Sequence, residues 1–141
     1  MSWHPWIVHF AIALVPVGVL IDLAAIILRR PAWHTAGYAM FLLGTAAAAA
    51  AVITGNQAAL PYRDDGAVSG LVQRHEDWGS AAFILFLAIL LGRLPLQLRG
   101  RTEGWALRFL VLAALAGCGI LFTASLYGGE LVYLHGVGVR R

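Results

Sequence analysis

"HPWIVHFAIALVPVGVLIDLAAIILRR", residues 4–30, decides the fold. Between His9 and Arg29 the only ionisable side chain is Asp22, and every other position is apolar or glycine. At about 1.5 Å per residue, such a run matches the roughly 30 Å hydrocarbon thickness of a bilayer when helical. Pro5 suits the first helical position, and Arg29-Arg30-Pro31 supplies a charged stop. A membrane-spanning helix over residues 5–28 follows.

The rest of the 141 residues repeats that logic, with 60% apolar and only 12% charged residues. This composition excludes an ordinary soluble surface. Three more spans are expected over residues 35–59, 75–94 and 104–127, the third ended by Pro95. The fold class is therefore all-α, a single integral membrane four-helix bundle in the lipid bilayer. Trp6, Trp33, Trp78 and Trp105 each fall near the start of a span, where amphipathic rings anchor at the interface. The start has no basic n-region and no clear cleavage site, so the first helix is expected to be retained.

All ten basic residues are arginines. They lie in the connections and the tail, which reads as topology and excludes nucleic acid as a partner. Arg29, Arg30, Arg93, Arg99, Arg101 and Arg108 are assigned to one side, and Arg63, Arg74, Arg140 and Arg141 to the other. The positive-inside tendency then places both termini on the periplasmic side of a bacterial inner membrane.

Histidines carry the chemistry. His4 and His9 open the first helix, His75 begins the buried part of the third, and His135 follows the fourth, so four of the five gather at one membrane face. Polar groups at membrane depth are costly unless paired, and neutral imidazole is a common metal ligand and a haem axial ligand. His9 and His75 are the preferred axial pair because both begin buried helical segments. His4 is expected in the non-helical residue before Pro5, folded over the mouth. Gly79, one turn after His75, leaves space beside its ring, and Gly55, Gly128 and Gly129 are expected to end helices on the same side. His34 is expected to be an ordinary interfacial side chain. Cys118 is a small packing residue that has no disulfide partner.

The segments "HPWIVHFAIAL", "TGNQA", "RHEDWG" and "GGELVYLHGVGV" together resemble the bacterial predicted membrane proteins called domain of unknown function 2231. The resemblance covers essentially the whole chain and implies a four-span protein whose recurring histidines correspond to His4, His9, His75 and His135. Ala11 stands where the family usually has proline, which implies a less kinked first helix.

A membrane electron carrier with a b-type haem is the leading expectation, since four-helix bundles build cofactor sites from facing side chains. The absence of C-x-x-C-H excludes covalent c-type attachment. One alternative is a copper, zinc or iron site formed by His4, His9, His75 and His135, with Glu76 or Asp77 orienting an imidazole. Another is a cofactor-free subunit of a respiratory or photosynthetic complex. Redox partner proteins or fellow subunits are the partners these readings imply. No hydrolase, nucleotide or dinucleotide fingerprint marks a stand-alone enzyme. No inverted repeat points to a transporter. Asp22 is expected to face the bundle interior, hydrogen-bonded to a neighbouring helix or serving a proton path or a partner contact.

Overall fold

The computed structural model describes residues 3–139. The four helices are α1 (His4–Ile27), α2 (Trp33–Ala59), α3 (Ser69–Leu98) and α4 (Trp105–Tyr133), with one 3₁₀ turn at Leu60–Tyr62. Each is long and apolar enough to cross a membrane. The connections after α1 and α3 are short, so α1 packs chiefly on α2 and α3 chiefly on α4. The bundle is thus two antiparallel hairpins laid side by side.

Three expected boundaries move: α3 starts at Ser69 and not at residue 75, and α3 and α4 both end later than expected. Pro95 lies inside α3, which runs on to Leu98. A proline so near the end forfeits little of the helical ladder. Gly55, Gly128 and Gly129 do not end helices, because α2 continues to Ala59 and α4 to Tyr133. Their missing side chains serve packing.

Small residues set the closeness of the first hairpin. A Cβ on Gly18 would lie 2.8 Å from the Gly37 carbonyl oxygen, and one on Gly44 would lie 2.8 Å from the Val15 nitrogen. Backbones approach this closely in membranes only where side chains are absent. In the second hairpin, Gly117 receives the Phe86 ring in the same way.

The two hairpins are versions of one another. His4 and His75 are 71 positions apart, and so are Asp22 and Arg93. With that offset, buried Ala11, Val15, Gly18, Val19 and Asp22 of α1 correspond to Ala82, Phe86, Ile89, Leu90 and Arg93 of α3, all of which are also buried. On α2 the offset is 73, since Gly44, Thr45, Ala48 and Ala51 correspond to Gly117, Cys118, Leu121 and Ala124 of α4, again all buried. Because α1 and α3 run in the same direction, this is a parallel repeat about an axis along the bundle. The expectation of no inverted repeat stands beside a repeat of the other kind.

The core lies midway along that axis. Val15, Val19, Phe41, Phe86, Ile89, Ala114 and Leu121 pack there, with the Phe41 and Phe86 rings edge to face at 5.5 Å. Polar side chains collect at the two ends.

Candidate functional site

At the end where α1 and α3 begin, His4 and His75 meet across the repeat axis, ring centres 5.9 Å apart and planes at 81°. Pro5 occupies an early position of α1, yet His4 is helical and partly buried between helices. It faces inward and does not fold over the mouth. The two rings are held in matching ways. His4 Nδ1–H donates to the Ala51 carbonyl at 2.9 Å, and His75 Nδ1–H donates to the Ala124 carbonyl at 2.8 Å.

One turn beyond each acceptor stands a glycine. A Cβ on Gly55 would lie 2.9 Å from His4 Cε1, and one on Gly128 would lie 2.9 Å from His75 Cε1. The sequence A-x-x-x-G therefore carries both halves of each socket, at Ala51 and Gly55 and at Ala124 and Gly128. A carbonyl can only accept, so each Nδ1 bears the proton. Each Nε2 is left unprotonated in the neutral ring and has no hydrogen-bond partner among the described residues.

A cavity of about 60 Å³ adjoins the pair, walled by His4, Gly55, His75, Gly79 and Ser125 among others. A Cβ on Gly79 would meet no atom within 4 Å.

Two expected ligands are elsewhere. His9 is exposed, and its Nδ1 turns back to the Pro5 carbonyl of its own helix. Five positions from His4, it points away from the axis, so the preferred His9–His75 pair is replaced by His4–His75. His135 is exposed in the turn after α4. The four-histidine centre does not form, and among the described residues no group of three or more His, Cys, Asp or Glu side chains could hold a metal ion. The nearby carboxylates are engaged otherwise, Glu76 with Arg63 at 2.9 Å and Asp77 with Gln73 at 2.7 Å. Backbone carbonyls, not acids, orient the imidazoles.

At the opposite end lies a second polar cluster. Arg93 lies inside α3 and is 1% exposed, not in a connection. Its guanidinium forms a two-pronged pair with Asp22, at 2.6 and 3.0 Å. His34, 3% exposed and so no interfacial side chain, donates Nδ1–H to the same carboxylate at 2.7 Å. The Arg93 guanidinium carbon also lies 5.4 Å from the Tyr38 ring centre and 5.9 Å from that of Phe41. Bidentate pairing and aromatic faces are what allow a buried arginine to remain charged. A sequence signal for both clusters existed, since His4 precedes Asp22 by the same interval as His75 precedes Arg93.

Among comparisons with known proteins, the family model described as "Predicted membrane protein (DUF2231)" matches residues 1–141. No curated protein and no solved structure matches the chain.

Proposed function

This chain belongs to the DUF2231 family of predicted membrane proteins, and we propose that it is a membrane electron carrier in which the Nε2 atoms of His4 and His75 are the axial ligands of a b-type haem. The observation that carries this reading is the pair itself: two imidazoles from equivalent places in two hairpins, each anchored through Nδ1 and each free at Nε2.

The donor count favours haem over a bare ion. A macrocycle supplies four equatorial nitrogens, so two imidazoles complete the iron, whereas zinc would lack two ligands. Bound haem would supply one-electron exchange. The chain's own task is to orient the rings and exclude water with the apolar core.

The 60 Å³ cavity holds no macrocycle, so haem would enter only if the two hairpins parted at the His4 end. Each hairpin packs mainly within itself, and the ion pair that joins α1 to α3 lies at the far end, which would then be the hinge. With Arg93 inside the bundle, five arginines against four, of which Arg140 and Arg141 lie outside the described residues, support an orientation with the His4 end outside, in the bacterial inner membrane.

Absorption spectra of the purified protein, oxidised and reduced, test the proposal. A low-spin reduced spectrum is expected, lost in His4→Ala and His75→Ala and kept in His9→Ala and His135→Ala. Gly128→Ala, which drives a methyl into the His75 ring, should weaken it, while Gly79→Ala should not. Stoichiometric copper without a Soret band would replace haem by two-coordinate copper(I), the one ion that two imidazoles satisfy and that the small cavity admits. A protein free of both, with His4 and His75 intact, would overturn the proposal.

A further inference from the structure

The second cavity lies at the Asp22 end, between the hairpins, and measures about 380 Å³. Arg29 enters it from the α1–α2 connection, Thr102 and Glu103 from the α3–α4 connection, and Arg108 from the first turn of α4. His34 forms part of the wall. Its Nδ1–H is committed to Asp22, and the ring is only 3% exposed.

Arg29 is held there against its backbone preference. It has φ +53°, the left-handed region, and it is the only non-glycine residue among those described to do so. The equivalent place in the second hairpin, 71 positions on, is Gly100 at φ +63°. A glycine would meet the turn without strain, so an arginine at this position has a use beyond closing the helix.

We propose that this cavity binds a phosphate-bearing anion, gripped by the Arg29 and Arg108 guanidiniums from the two hairpins, with the Thr102 hydroxyl as a further donor. Guanidinium is suited to phosphate through its forked donors. The ionised walls, two arginines against Glu103, carry a net single positive charge, which fits a singly charged phosphodiester better than a polyphosphate. Exposed Ile27, Leu28 and Trp105 flank this end and offer an apolar surface to acyl chains. An anionic phospholipid headgroup and free phosphate share the chemistry. Basic pockets between membrane helices hold such headgroups elsewhere.

The test uses full-length protein in neutral detergent, with its thermal unfolding midpoint followed during titration with phosphatidylglycerol, phosphatidylcholine or inorganic phosphate. Phosphatidylglycerol should half-saturate the rise in midpoint at a concentration about tenfold or more below phosphatidylcholine. Arg29→Gln/Arg108→Gln should abolish that preference. Arg99→Gln/Arg101→Gln, which removes the same charge from the same end outside the cavity, should keep it. A response to inorganic phosphate that the Arg29→Gln/Arg108→Gln variant lacks would identify the free anion as the occupant. No preference for either phosphate source, persistence of the preference in Arg29→Gln/Arg108→Gln, or equal loss in the Arg99→Gln/Arg101→Gln control would overturn the proposal.

Discussion

Arg93 shows how much a single side chain depends on its partners. It is fully buried, and its Nε has no hydrogen-bond partner among the described residues, so its charge is stabilised by Asp22 and two aromatic faces. Removing one member of a buried pair strands the other charge, at about 3–5 kcal/mol, while replacing both by apolar groups is close to neutral. Arg93→Leu is therefore expected to lower unfolding stability in detergent by that amount, and Asp22→Leu/Arg93→Leu to recover most of it. Equal losses in the two proteins would show that the pair carries more than mutual neutralisation. Asp22→Asn should leave any cofactor at the His4 end in place, since eighteen residues of helix set the two ends about 27 Å apart. Asp22 was legible in the sequence as an isolated acid within a span. Its partner was not, because an arginine two residues before a proline carries the same local signature as a loop arginine. Similarly, nothing local distinguishes His4 from His9; the direction of each ring depends on which face of α1 meets α2 and α3.

The helices themselves were the easiest part to read, because a bilayer demands long apolar runs and tolerates few exceptions. Their ends were harder. Pro95 and the Gly128–Gly129 pair are ordinary helix-stopping signals, yet α3 and α4 continue past them. Packing outweighs propensity there, since Gly128 is where the His75 ring is seated. At the ends of α1 and α3 the same backbone device recurs: Arg30 N–H reaches the Ala25 carbonyl at 2.9 Å, and Arg101 N–H reaches the Leu96 carbonyl at 2.9 Å. Each closure turns on a left-handed residue, Arg29 in one case and Gly100 in the other. Gly100→Ala should thus cost about 1 kcal/mol of thermal stability and Arg29→Gly should add about as much, even as it weakens anion binding. A stabilising Gly100→Ala would show that this turn is not strained by a side chain.

On the scale of the whole molecule, the repeat explains why the chemistry sits where it does. Equivalent positions meet at the axis, so one end pairs histidine with histidine and the other pairs aspartate with arginine. Low residue identity between the halves hides this in the sequence; only the spacings and the two A-x-x-x-G sockets preserve it.

The mismatch at the Asp22 end makes the halves complementary and not interchangeable. Two copies of the first hairpin would bury two carboxylates against each other, and two copies of the second would bury two guanidiniums, both strongly disfavoured. Covalent linkage is then a convenience, since stoichiometry is already encoded in opposite charges. Expressed as separate polypeptides cut in the 63–67 connection, the hairpins should co-purify as mixed pairs and not as like pairs. Self-pairing of either fragment at a level matching the mixed complex would show that the apolar seam, not the ion pair, governs recognition.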